Sequence, residues 1–454
     1  MTEDIFGQAC SLTDARALAD WNAAQIGVLA HAARTAPHLT AVIEAAPEFA
    51  LALAIKGLSL LMLGRRELVA SAREALATAK THYEGALPRE RLYVDALEAW
   101  LAGQPSRSIA LMEEVLTRHP CDTLAMKLSH GIRFILGDAR GMRASVERVL
   151  PAYSTAHAGH GYLLGCHAFA LEETGAYERA EITGRQALWT APDDAWGLHA
   201  VAHVHDMTGN AKAGLDWLTG REAAWAECNN FRYHVWWHKA LMHLDLGEID
   251  EVLRLYDAEV RKDQTDDYRD ISNATSLLMR LELEGVAVGN RWEELAQFCE
   301  NRTEDGSLIF ADLHYLLGLI GGDRQAASHR LVARICADGA QNSTESAQRM
   351  ANPGAATAKG LEAFGEGDYG SAFSYLAKSR DSLHLAGGSH AQRDVFERMT
   401  IDAGLRSGQW AQVEAILDDR RAKRAGQEDN YALARRSLIA TARNNGGAQS
   451  VPAE

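Results

Sequence analysis

The stretch GYLLGCHAFALEETGAYERAEITGRQALWTAPDD, Gly161–Asp194, carries the reading of the fold. Small residues stand at fixed offsets from Gly175: Ala168 seven before it, Ala180 five after and Ala187 twelve after, with Tyr177 two after. Those spacings put small side chains on the facing sides of two antiparallel helices, where they let the backbones approach. Gly175 sits where the first helix ends, and a glycine there takes a left-handed conformation that a side chain disfavours. Pro192 stops the second helix. One such hairpin cannot bury its own apolar face, so the pattern asks for neighbours of the same kind.

The neighbours are present on both sides. Ala202, Gly209 and Gly214 fill the small positions of the next copy, and the intervals Gly103–Gly137 and Gly175–Gly209 are both 34 residues, the tetratricopeptide period. Gly64, Gly247, Gly289, Gly322, Gly367 and Gly408 continue the series of expected turn glycines at intervals of 33 to 45. GLEAFGEGDYGSAFSYLAKS (Gly360–Ser379) and LRSGQWAQVEAIL (Leu405–Leu417) repeat the pattern late in the chain. The fold expected is an all-α, superhelical tetratricopeptide-like solenoid of about ten helical hairpins over residues 51–430, able to curl around a central pocket. Residues 1–50 read as N-terminal capping helices with Ser11 and Thr13 as candidate N-caps. Residues 431–454 read as a C-terminal capping helix, Tyr431 to Arg443, and a frayed tail, GGAQSVPAE.

Composition narrows the function classes. Hydrophobic residues make up 47% of the 454, enough for a continuous core, and only nine prolines interrupt it. A formal charge of −15 argues against nucleic acid, whose phosphates call for clustered Lys and Arg. The N-terminus has no basic segment followed by an apolar one, and no run approaches the ~18 apolar residues of a membrane span. The six cysteines form no C-x-x-C pair, so neither a cysteine zinc site nor a disulfide framework is expected, and a cytoplasmic protein with reduced thiols is.

A helical repeat does not need many imidazoles and indoles. Yet nine of eighteen histidines lie between His157 and His243, and six of ten tryptophans between Trp189 and Trp237. His199 and His203, four apart, share one helix face, with Trp196 and Asp206 on the same helix. The first helices of neighbouring repeats put Tyr162, Phe169, Glu172 and Glu173 on one side and His234, Trp237 and Asp245 on the other, all expected along the concave groove. His199, His203, His234 and Glu172 are the candidate catalytic residues. Trp196, Tyr162, Phe169, Glu173 and Trp237, with His390, Arg393 and Asp394 from late in the chain, are the candidate substrate contacts. His199/His203 and His234/His238 are two i,i+4 pairs on adjacent hairpins, a spacing compatible with zinc or another divalent metal, although His238 falls at a packing-type position. Metal-free acid–base chemistry, with Glu172 or Glu173 setting a histidine tautomer, is the other reading. Ordinary structural histidines are the third. Cys166 beside His167 diverges by about 100° on a helix and reads as a packed thiol.

Elsewhere, GGSHAQRDVF (Gly387–Phe396) offers a helix start capped by Ser389 with His390, Arg393 and Asp394 in its first turns, a place for a carboxylate or phosphate. Asp312 is expected to face the groove and His314 to pack. YDAEVRKDQTDDYRDIS (Tyr256–Ser272) reads as a lid or as a solvated connection. The runs GYLLGCHAFALEETGAYERAE, DAWGLHAVAHV, WWHKALMHLDLG and GGSHAQRDVF resemble the tetratricopeptide-repeat protein 38 family. The resemblance implies the helical-repeat fold and no activity.

Two functions stay open. One is a small molecule bound in a His/Trp-rich concave pocket, with hydrolysis of a small amide or ester-like metabolite as the chemistry that suits histidines. The other is a non-enzymatic scaffold for a peptide or protein partner. Peptide clamps present Lys, Arg and Asn; here Lys127 and Arg232 are the basic candidates near the groove, which tilts the reading towards the pocket.

Overall fold

The computed structural model describes residues 2–447. Helices pair antiparallel along the chain, and about ten hairpins follow an N-terminal pair, Ala15–Leu29 and Thr35–Ala45. Seven helices on the concave side position the site: α1 (Thr123–Leu136), α2 (His160–Glu172), α3 (Ala195–Met207), α4 (Phe231–Asp245), α5 (Tyr268–Leu283), α6 (Ile309–Gly321) and α7 (His390–Arg406). The chain is therefore an all-α helical-repeat solenoid of tetratricopeptide type. The last helix, Asn430–Gly447, runs longer than the expected Tyr431 to Arg443, and the expected tail from residue 448 onward lies outside the described residues.

Local chemistry explains the hairpins. Asp122 caps α1 by accepting from the Ala125 N–H, and Gly137 ends it at φ +72°. Of the expected turn glycines, Gly322 alone lacks the left-handed conformation; Asp323 takes it instead, at φ +55°. The N-cap expected at Ser11 or Thr13 is Asp14, which accepts from the Ala17 N–H. Ahead of it stands a short antiparallel ribbon, Thr2–Glu3 with Ala9–Cys10, which helical patterning did not foreshadow. Ala168 and Ala202 are fully buried. Between α2 and α3 the backbones meet at Gly165 and Gly197, where a Cβ on Gly197 would stand 3.0 Å from the Gly165 Cα. This close crossing brings the polar faces of both helices onto one interior.

The superhelix closes on itself. α7 packs against α3 and α5, and the turn Arg380–Ala386 packs against α1. At one rim Arg302 pairs with Glu67 at 2.8 Å, and the Glu345 N–H donates to the Gly103 carbonyl. At another the Tyr177 hydroxyl donates to the Lys423 carbonyl at 2.6 Å, and Arg435 pairs with Glu284 at 2.7 Å. A peptide groove has become an interior. No described helix is long and apolar enough to cross a membrane.

Candidate functional site

α3 supplies His199 and His203, one turn apart, and α4 supplies His234 and His238 in the same relation. All four are buried, and one ring nitrogen from each lies within 4.8 Å of the others. His238, placed by register at a packing position, belongs to the cluster: its Nε2 stands 3.2 Å from the His234 Nε2. A tetrahedral zinc with Zn–N of about 2.0–2.1 Å wants nitrogens roughly 3.4 Å apart, so ring movements on the order of 1 Å would complete such a shell.

The hydrogen bonds around the rings select tautomers. His199 Nδ1 donates to the Trp196 carbonyl at 2.7 Å, and His234 Nδ1 donates to Asn273 Oδ1 at 2.9 Å. Both rings thereby present Nε2 lone pairs, the arrangement found when a carbonyl orients a metal-binding histidine. His203 Nδ1 lies 3.4 Å from Glu172 Oε2, close enough for ionic attraction but too poorly aligned to count as a hydrogen bond. Both ring nitrogens of His203, the Nδ1 of His238 and both oxygens of Glu172 are buried without a hydrogen-bond partner. Unpaired buried polar atoms are costly and uncommon, so five in one cluster need an explanation.

Electrostatics keep most of the rings ready to donate lone pairs. Burial, followed by repulsion from neighbouring imidazoles, holds His199 and His238 well below the usual histidine range. Burial pushes His234 down to about 3. For His203 burial acts the same way, but Glu172 overrides it and the net direction is up. Burial and the adjacent Glu173 raise Glu172. Glu173 itself goes down, since His390 and Arg393 outweigh its burial.

Beside the cluster lies a cavity of about 190 Å³. Phe169, Trp196, His199 and His234 line it, as the repeat register anticipated, and Gly388, Ser389 and Gln392 at the start of α7 close one side. Ser389 caps α7, its hydroxyl accepting from the Gln392 N–H at 3.3 Å. His203 and Glu172, expected on the wall, sit behind it and are fully buried. Tyr162 is not at the cavity: its hydroxyl donates to Asp193 at 2.7 Å, and its ring packs with Phe6 and Leu29 in a satellite core. Trp237 is also behind the wall, stacked on His234 at 5.2 Å.

Glu173, His390, Arg393 and Asp394 belong to a second, larger cavity of about 1190 Å³ that shares Phe134 and Gly388 with the inner one. There Glu173 accepts from the His390 N–H at 2.8 Å, and Asp394 accepts from Arg398 and Arg420. The anion place expected at this helix start is therefore taken by the chain's own carboxylate. Asp312 points outward, to Arg334 on Gln325–Gln341 at 2.6 Å, and His314 packs with its Nδ1 on the Phe310 carbonyl. Arg232 turns to Asp263 at the surface. The charged stretch after Tyr256 is a solvated connection at residues 262–264, which are exposed, and is pinned around them: Arg261 pairs with Glu294 and Asp266 with Arg302, and Tyr268 and Arg269 reach the cavity.

Several cavity residues had no sequence signal. His31 stacks on Trp196 at 5.3 Å and on Phe231 at 4.7 Å, and His130 meets Phe169 and Trp196 edge-on. Asn273 and Phe310 arrive from α5 and α6.

No family model matches the sequence. Among solved structures the chain is similar to a human IFIT1 dimer with PPP-AAAA, at 14% identity over 83% of this chain and 87% of that one, with a TM-score of 0.35. A human IFIT1 dimer with m7Gppp-AAAA gives 13% identity, coverage of 86% and 90%, and a TM-score of 0.37. Naa15/Naa10 bound to HypK-THB gives 14% identity, coverage of 91% and 64%, and a TM-score of 0.26. None of these likenesses bears on the histidine cluster.

Proposed function

We propose that the chain holds a divalent transition metal, zinc by ligand chemistry, at His199, His203, His234 and His238, and binds a small molecule in the adjoining cavity. The observation that carries this reading is the cluster itself: imidazole nitrogens within ligand reach, His199 and His234 fixed in the right tautomer, and both nitrogens of His203 with the Nδ1 of His238 left unpaired. Imidazole also suits copper, iron and nickel. His199 and His234 face the cavity while His203 and His238 stand behind, so a bound ion would form part of the cavity floor. The Nδ1 of His238 has no partner to fix its ring in the ligand orientation, so His238 is the ligand that would yield an open position.

The reaction proposed is hydrolysis of a small amide or ester. Water adds to the carbonyl carbon, the C–N or C–O bond breaks, and the leaving nitrogen or oxygen takes the proton. A bound ion supplies Lewis acidity and water with a lowered pKa. Glu172 attracts the His203 ring at 3.4 Å, and the aromatic wall excludes bulk water. Membership of the tetratricopeptide-repeat protein 38 family is part of the same proposal and rests on the four quoted stretches. The interaction-scaffold alternative draws on Trp189 and Ile182, exposed on one face of Tyr177–Thr190.

Elemental analysis of purified protein, before and after chelation and reloading with zinc, tests the reading. About one equivalent per chain is expected, lost in the His203→Gln/His234→Gln double variant. Equal zinc content in wild type and double variant would sink it.

A further inference from the structure

The chain carries a formal charge of −15, yet among the described residues no carboxylate lines the inner cavity. Its two formally charged lining residues are Lys127 and Arg269. Arg269 is already held by both oxygens of Asp267. Lys127, nine-tenths buried, makes no ion pair among the described residues; its hydrogen-bond partner is the Cys166 sulfur at 4.0 Å, a weak acceptor. The ammonium sits over the Trp196 ring at 4.9 Å. Asp194 feels Lys127 through space without pairing with it. Desolvating an ammonium is costly unless an anion compensates, and Asp194, the carboxylate that feels it, is not paired with it. On the same wall the His31 Nε2 and both ring nitrogens of His130 are buried without partners, so donors and acceptors remain for a ligand.

We propose that the ligand of this cavity is a small monocarboxylate with a flat apolar body, its carboxylate paired to Lys127 and its body among the rings of Phe169, Trp196 and Phe231. The inference rests on the small-molecule reading above and names the chemical class that reading left unspecified. Size agrees: a cavity of about 150 Å³ accepts benzene, so about 190 Å³ accommodates one ring with a short acidic arm. His31 stacks on Trp196 and Phe231, Phe134 stands edge-on to Phe169 and Trp196, and walls of such flat faces favour a flat partner over a branched one.

Calorimetric titration with 3-phenylpropanoate and with the neutral 3-phenylpropanamide on chelated protein, where the proposed amide hydrolysis does not run, and with the acid alone on zinc-loaded protein, tests this. The acid is expected to bind about 10- to 100-fold more tightly than the amide, the range of a charge-assisted hydrogen bond. Lys127→Met should erase that preference while helicity and zinc content stay unchanged. Equal binding of acid and amide, no binding of either, or a preference that survives Lys127→Met would overturn the proposal. Should Lys127→Met fail to fold, the wild-type comparison decides, with Lys127→Arg expected to keep the preference. A Lys127-dependent preference in a protein that takes up no zinc would defeat the metal reading alone. Zinc uptake without the preference would defeat this one alone.

Discussion

Two polar clusters lie in the interior, one joining α7 to Trp410–Lys423 and one on α2, α3 and α4, and they differ in how well their atoms are paired. In the first, Arg420 donates through all three guanidinium nitrogens to Asp394 and Asp429, and each oxygen of both carboxylates accepts at least one hydrogen bond. In the second, around His203, ring nitrogens and both Glu172 oxygens have no partner. The first cluster ties α7 to Trp410–Lys423 and to the lead-in of the last helix. Its geometry is complete without a ligand, which is what a structural ion network requires. The second is incomplete in the same fold, which is the contrast that the proposed metal and ligand would account for.

The largest effect should come from breaking the complete cluster. Arg420→Met removes the cation shared by two buried carboxylates and should cost ~3–5 kcal/mol, read by urea denaturation. A loss below ~1 kcal/mol would mean the network is not structural and would erase the contrast. The matching change in the incomplete cluster, His203→Leu in chelated protein, should cost less than ~1.5 kcal/mol, because it replaces a ring of similar size whose nitrogens make no hydrogen bond, and Glu172, already raised by burial, takes up a proton once that ring is gone.

Zinc should reverse that second result. Free zinc at about 100 times its Kd should add ~2.7 kcal/mol to wild type, raising the melting temperature, and should add nothing to His203→Leu. A melting temperature indifferent to zinc in wild type would place the two clusters in the same structural class.

Ala202→Leu sharpens the comparison from the packing side. Ala202 is buried among the helix contacts that fix α3, and two extra branches there should overpack it by ~1–3 kcal/mol. A neutral result would mean that α3 is free to shift, and the histidine geometry with it.

Much of the architecture could be read from the chain because helical hairpins are local objects. Gly137 and Gly175 end helices within the sequence that forms them, and Ser389 caps α7 through its own next turn. His199 and His203 were legible for the same reason, four apart on one helix. Closure is not local. His31, His130 and Gln392 meet at one cavity only because the superhelix returns on itself, and no spacing records that. Tyr162 and Trp237 failed for a second reason: a helix in a closed solenoid is buried almost all round, so a register position does not say whether a side chain faces the cavity or a neighbouring helix. Asp312 looked inward by register, and Arg334 on its partner helix drew it out.

The smallest effect compares single aspartates with opposite pH signatures. Burial works against the charge of Asp429, but Arg420 and Arg398 override it and hold the carboxyl below its usual range. Its contribution to stability is thus full above the unfolded value of about 3.9 and fades as pH falls through its lower folded value. Asp194, buried against the Gly165–Gly197 crossing, is pushed by that burial up to about 7. Its sign is the reverse: the folded protein keeps the proton more tightly, so the residue costs stability above about pH 7, and the cost disappears as pH drops towards 4. Asp194→Asn should therefore raise stability by ~1–2 kcal/mol at pH 8, less than the full linkage value because the amide still buries a polar group. The gain should shrink to nothing near pH 4. Asp429→Asn should destabilise at pH 8 and lose its effect only in strong acid. Parallel urea titrations of both variants from pH 4 to 8 check the pair, and curves of the same sign would mean that Asp194 is as fully paired as Asp429.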